Sequence, residues 1–257
     1  LTYIFFICVI INIFNPSFLL AKEIFSFNVS EIEIKQNGNI LRGFNGGEAF
    51  TDDGIYIKAQ NFEYNKISKT LISNGNVILK DKNTNIIIYA DQILYFKNLE
   101  KVVADGNVKI KDINKNISII TKKITYLKKL NKIITEGKTT SNISSKYKFY
   151  SKNLTFLQDE MRLYSSHKTT ISDNNFSLYE LSSFDYQIEK EFLKGTDISI
   201  IENSNLPKGE GDQYFFVNGF FDLKNQNFKT GEAKIQLKKN LFGKNDNDPR
   251  LYGVSLT

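Results

Sequence analysis

The 257-residue chain has no tryptophan, one methionine, one cysteine and one histidine. The cysteine, Cys8, lies in an uncharged N-terminal stretch, so after Ala21 there is no thiol for a disulfide, a cysteine zinc site or a cysteine nucleophile. The histidine, His167, has no second histidine to work with and reads as a surface or turn residue, not as a base or ligand. Three prolines and 15 glycines argue against a long unstructured linker. No phosphate-binding glycine loop, GxSxG elbow or metal-spaced His/Asp cluster occurs. Carboxylates such as Asp52 and Asp53, or Glu189 and Glu191, fall in turn-like or alternating contexts and read as solvated. The sequence argues against an enzyme, and neither a cofactor nor a metal is expected.

The chain is 41% hydrophobic and 24% charged, values of an ordinary globular protein long enough for one or two domains. Its first 21 residues carry no charge, and the apolar run from Tyr3 to Phe14 has the length of a signal-peptide core, broken by Asn12, Asn15 and Pro16 before it could span a bilayer. We read residues 1–21 as an export signal with cleavage at Ala21; a retained anchor is the alternative, since a basic leading segment is missing and the chain starts on leucine. The formal net charge of +6 permits an acidic partner such as nucleic acid, phosphorylated lipid or an anionic surface, without choosing among them. Arginine is scarce (Arg42, Arg162, Arg250), and the lysines scatter onto the outward positions of many strands, which argues against nucleic acid.

The chain repeats itself. Ala59, Phe62, Tyr64, Gly75 and Val77 recur as Ala90, Ile93, Tyr95, Gly106 and Val108, one step of 31 residues later (106 − 75 = 31), and again as Thr121, Ile124, Tyr126, Gly137 and Thr139. A looser copy follows at Ser151, Leu154, Phe156 and His167, and a fifth at Phe184, Tyr186 and Gly195. A fixed period of this size marks a stacked architecture. Within a copy the alternation has period two: Val102, Ala104, Gly106, Val108 and Ile110 against Val103, Asp105, Asn107 and Lys109, with Leu71 and Leu79 in the equivalent strand one copy earlier. Parity changes between Ala90 and Ile93, which predicts a bulge where a strand passes from one sheet to another. Each repeat is therefore two strands and a corner, with aromatic and β-branched residues inside and small residues where backbones approach.

The pattern A-x-x-Φ-x-Y … G-N-V-x-Φ after a leader resembles the OstA-type β-jellyroll domain of the lipopolysaccharide transport proteins, found in LptA, in LptC and at the N-terminus of LptD. The resemblance covers roughly residues 27–242. The tail after "NSNLPKGEGD", ending in "KNDNDPRLYGVSLT", resembles the passage that leads from the jellyroll toward the barrel in LptD proteins. It implies an all-β fold: an open, V-shaped stack of antiparallel strands, with jellyroll repeats over residues 22–202, completing strands over 203–243 and the start of a linker toward a barrel over 244–257.

The function implied is a non-catalytic lipopolysaccharide conduit at the periplasm and outer membrane of a Gram-negative bacterium. Its apolar groove would use Phe62, Tyr64, Leu71, Val77 and Leu79, then Ile93, Tyr95, Val102, Val108 and Ile110, then Ile124, Tyr126, Leu154 and Phe156. Outward lysines, Lys109 among them, would meet the lipid's phosphates and acidic sugars. The first strand, within residues 27–35 and bearing Ile32 and Ile34, would pair edge to edge with an LptA-like bridge protein or else pair internally. An LptE-like lipoprotein is implied only if a barrel is present, and cysteines that join the two domains in that family are missing from residues 22–257. Two alternatives stay open: a free-standing LptA- or LptC-like bridge, and a β-solenoid structural or adhesion protein without lipid.

Overall fold

The computed structural model describes residues 24–206, 211–238, 241 and 249–255. The expected export segment, with Cys8 and Ala21, lies outside the described residues.

Every regular element described is a strand, apart from three short 3₁₀ turns at Gln36–Gly38, Lys97–Leu99 and Lys128–Leu130. The chain begins with β1 (Ser26–Lys35), β2 (Ile40–Phe50), β3 (Ile55–Ala59) and β4 (Asn61–Asn65). Four long strands follow: β5 (Thr70–Asp81), β6 (Ile86–Phe96), β7 (Lys101–Asp112) and β8 (Ile117–Leu127). Shorter ones come next: β9 (Lys132–Glu136), β10 (Lys138–Ile143), β11 (Tyr147–Lys152), β12 (Thr155–Leu157), β13 (Arg162–Ser165), β14 (Thr169–Asp173), β15 (Leu178–Leu181) and β16 (Ser183–Gln187). The last are β17 (Phe192–Ile201), β18 (Gln213–Asp222), β19 (Asn227–Thr230), β20 (Ala233–Gln236) and β21 (Arg250–Gly253). Within the stretch expected to begin a linker, β21 adds an edge strand to the sheet beside β20.

All pairings are antiparallel, and a register break divides each long strand. Between β5 and β6 the ladder runs from Thr70↔Phe96 to Asn74↔Gln92, breaks, and resumes from Val77↔Ala90 to Asp81↔Ile86. The same break recurs between β6 and β7 and between β7 and β8. One half of each strand thus belongs to a first arm, which continues through β9, β12, β13 and β16, and the other to a second arm, which continues through β10, β11, β14 and β15. The arms rejoin in β17 and β18, and then end separately on β19 and on β20 with β21.

The Gly-Asn dipeptide makes the bend. Gly106 and Asn107 take φ of +77° and +48°, and Gly75 and Asn76 take +83° and +47°, the left-handed pair that a non-glycine residue other than asparagine adopts only with strain. A Cβ on Gly106 would also collide with the Asp91 side chain, and one on Gly75 with Gln60. At the far ends of the arms, left-handed residues close the turns at the same period: Lys69, Glu100 and Asn131 on the first arm, Asn85 and Asn116 on the second.

Inward residues from both arms form one continuous apolar core. It crosses between arms: Phe149 of β11 packs on Phe184 of β16 at 5.3 Å, and Tyr147 on Tyr186 at 5.9 Å between ring centroids. Each fully buried large side chain contributes about 1.5–3 kcal/mol. At the N-terminal end Phe25 lies edge-on to Tyr64 at 4.8 Å and to Tyr95 at 5.8 Å, closing that end of the interior.

Candidate functional site

The fourteen expected groove residues all face this shared interior, and each is buried. They line one space, as the repeat implied, and the space is filled by their own packing. Its character changes along the stack. The columns that read Ala59, Ala90 and Val77, Val108 in the early copies become Thr121, Ser151 and Thr139. The two threonines join Thr135 in a chain of hydroxyls, in which Thr139 donates to Thr121 at 3.1 Å and Thr135 and Thr139 lie 2.8 Å apart, and the Ser151 hydroxyl meets that of Thr169 at 2.7 Å. Ser73 and Ser141 are buried in the same interior with no partner for their hydroxyls.

A polar seam that joins the ends of the two arms closes the interior. Lys97, in a turn of the first arm, reaches Asp53 at 2.7 Å beyond the second. Lys128 lies 3.4 Å from both Asp53 Oδ2 and Asp81 Oδ2. The tyrosines of two successive repeats extend their hydroxyls into this line: Tyr95 donates to Asp53 at 3.2 Å and Tyr126 to Asp81 at 3.0 Å. One repeat further on, where the tyrosine column becomes Phe156, Gln158 takes over and donates to Asp112 at 3.1 Å and to the Thr84 carbonyl at 2.8 Å. Lys115 with Glu189 at 2.9 Å and Lys146 with Glu191 at 2.6 Å complete the seam.

Burial raises the Asp53 carboxyl, but the ammonium groups of Lys97 and Lys128 outweigh it and hold the group far below the usual carboxylate range. Burial, reinforced by the facing carboxylates, pushes the Tyr95 and Tyr126 hydroxyls well above theirs. At neutral pH Asp53 is therefore ionised and the Tyr95 and Tyr126 phenols are neutral.

The expectation that Asp53 and Glu191 are solvated is corrected: both are partners in the seam. Its residues were missed because each reads as an ordinary turn charge. The signal was there in the repeat, since Lys97 and Lys128 are 31 apart (128 − 97 = 31), as are Asp81 and Asp112 (112 − 81 = 31). A charged column held in register with a core column marks contact across the stack.

Past Lys146 the seam stops and the interior opens. A cleft of about 460 Å³ lies there, lined by Tyr147, Tyr179 and Tyr214, by Asp173 and Glu202, and by Phe216 and Phe228. Burial pushes Tyr147 and Tyr214 up to about 12, and raises Glu202 with help from Asp212. Its lining mixes these aromatic rings with carboxylates and amides, Asp222, Asn203 and Gln226 among them, and is more polar than apolar.

β1 pairs with β2 alone, and its outer edge has no strand partner among the described residues. Ile32 and Ile34 are 51% and 64% exposed on it. His167 is exposed at a bend, 3.2 Å from the Asn153 amide nitrogen. Among the described residues no group of three or more His, Cys, Asp and Glu side chains is placed to hold a metal ion.

No protein-family model matches this sequence, and no curated protein matches it significantly.

Proposed function

We propose that the protein is a non-catalytic lipopolysaccharide conduit of the OstA-type β-jellyroll kind, acting between the membranes of a Gram-negative cell. The observation that carries this reading is the single apolar interior between two arms, continuous from Phe25 to the cleft at Tyr214. Acyl chains in such a space exchange water for hydrocarbon at about 0.8 kcal/mol per CH₂. The open edge of β1 supports docking of a preceding jellyroll strand, with Ile32 and Ile34 available to its side chains. Loading requires the interior to yield, and the seam is the boundary where yielding breaks no backbone ladder. We take the N-terminal jellyroll of an LptD-like translocon as the context, with a free-standing bridge as the alternative within the same function.

A second reading, a scaffold without lipid, is favoured by one observation: Tyr95, Val108 and the other interior positions are close-packed and fully buried. The two readings separate when the full chain is exported in a Gram-negative host, purified and extracted. Lipopolysaccharide in near-stoichiometric amount is expected. Protein free of lipid, or carrying phospholipid alone, would remove the conduit reading and leave the scaffold.

A further inference from the structure

The outer faces of the two arms differ in charge. Strand pairing places side chains in outward rows that cross each arm. On the second arm, two adjacent rows between β3 and β11 carry Lys58, Lys80, Lys109, Lys111 and Lys148, and no carboxylate. Four of these lysines are exposed and Lys111 half so. On the first arm the matching rows from β4 to β12 hold Glu63, Lys101 and Lys132 among apolar residues such as Ile72, Leu94 and Val103. Both arginines on that arm are paired, Arg42 with Glu63 at 2.7 Å and Arg162 with Asp185 at 2.6 Å, and Lys101 lies over Phe96 at 5.9 Å. An overall lysine excess from coding bias would load both arms alike; here the second arm's two rows hold five lysines and no carboxylate, against two lysines and one glutamate on the first.

The lysines alternate with aromatic rings in place of carboxylates. Lys80 lies over Tyr56 at 5.5 Å, Lys111 over Tyr89 at 5.7 Å and Lys148 over Tyr150 at 4.9 Å. Tyr150 and Ile120 are 43% and 46% exposed, and beside them a shallow depression of about 710 Å³ is flanked by Lys138, Lys152 and Lys168. Six strand spacings separate β3 from β11, so the face is about 30 Å long.

From this asymmetry we infer that the outer face of the second arm rests on an anionic phospholipid bilayer. A field of lysines without carboxylates suits a surface of phosphates, and amphipathic tyrosines with one exposed isoleucine suit the depth of the headgroups. A single-stranded nucleic acid fits worse: the faces of Tyr56, Tyr89 and Tyr150 already carry an ammonium group and are not free as stacking platforms. The inference does not depend on what the interior holds.

The test uses the full chain with Cys8→Ser, so that one new cysteine carries an environment-sensitive fluorophore. Tyr150→Cys reports on the second arm and Thr125→Cys on the outer face of the first. With phosphatidylcholine vesicles containing phosphatidylglycerol, the label at 150 shifts to the blue and the shift is reversed by salt; the label at 125 stays unchanged. Vesicles of phosphatidylcholine alone give no shift at either position. In the Tyr150→Cys protein, Lys109→Gln and Lys148→Gln each weaken the phosphatidylglycerol-dependent response roughly fivefold, with circular dichroism unaltered. The N-terminal apolar segment is common to all these proteins and cancels in the comparison. An equal shift at both labels, a shift indifferent to phosphatidylglycerol, or a response at 150 to RNA without one to anionic vesicles would overturn the inference.

Discussion

Replacing Lys128 by methionine takes one ammonium from the middle of the seam and leaves its partners in place. Its side chain is 8% exposed, and Nζ lies 3.4 Å from Asp53 Oδ2 and 3.4 Å from Asp81 Oδ2; Asp81 is wholly buried and Asp53 27% exposed. Stripping one member from a buried ion pair costs about 3–5 kcal/mol. Here the loss is partly offset. Asp53 keeps Lys97 at 2.7 Å, and Asp81 keeps the Tyr126 hydroxyl at 3.0 Å and the Asn83 backbone amide at 3.0 Å. We therefore expect about 2–3 kcal/mol, or roughly 5–10 °C in the midpoint of a domain this size. Asp81→Asn in the same chain keeps one oxygen for the Asn83 amide and turns its NH2 toward the Tyr126 hydroxyl, which can accept, while removing the orphaned charge, so the double variant should recover at least about 1 kcal/mol. Urea unfolding followed by far-ultraviolet circular dichroism and by tyrosine emission, undisturbed by tryptophan, reads both quantities. A Lys128→Met cost below about 0.5 kcal/mol, or strict additivity in the double variant, would refute the seam as a closure that holds the arms together.

Mild acid should spare the Asp53 contacts. The folded Asp53 carboxyl lies below its unfolded value of about 3.9, so its contribution is complete above that pH and is lost as pH falls through the folded value; stability measured from pH 7 to 5 should show no loss from this group. Base acts in the opposite sense: Tyr147 and Tyr214 titrate near 12 when folded and about 10 when unfolded, so stability holds below pH 10 and falls above it, with tyrosinate absorbance appearing together with unfolding. Gly137→Ala meets only the left-handed penalty, about 1–2 kcal/mol, because nothing lies within 4 Å of the new Cβ, whereas Gly106→Ala adds a collision with Asp91 and should cost visibly more in the same urea titration. Ser73→Ala removes a buried hydroxyl without a partner and installs the residue that Ala104 supplies one repeat later; a gain of about 1 kcal/mol is expected, and a loss would show that the hydroxyl is satisfied in solution.

The sequence made the stack legible because its repeat is a packing constraint. Tyr64, Tyr95 and Tyr126 recur at 31 residues because each occupies the same place on successive strands, and the parity change at Ala90–Ile93 is visible as the register break between Tyr89 and Gln92. The interior positions followed from the same alternation. The seam was less legible, because a lysine in KNLEK or an aspartate in TDDG looks solvated until the turn opposite it is known, and that depends on how the arms face each other. The cleft at Tyr214 could not be read at all: it exists where the repeat weakens, so periodicity says least there. The polarity of the two outer faces was hidden for a related reason. Alternation assigns Lys109 and Val103 alike to the outside, and only the bend between them sends one to the second arm and the other to the first.

Whether the interior holds lipid is decided most directly by photo-crosslinking. A photoreactive residue is placed at Val108 or Tyr95, both fully buried, and at Thr125 on the outer face of the first arm as the control, in the exported full chain in a Gram-negative host. Ultraviolet adducts carrying lipopolysaccharide at the two interior positions and not at Thr125 are the result a conduit requires. Folded, exported protein that is silent at all three positions would mean that the core stays packed and that the stack is a scaffold.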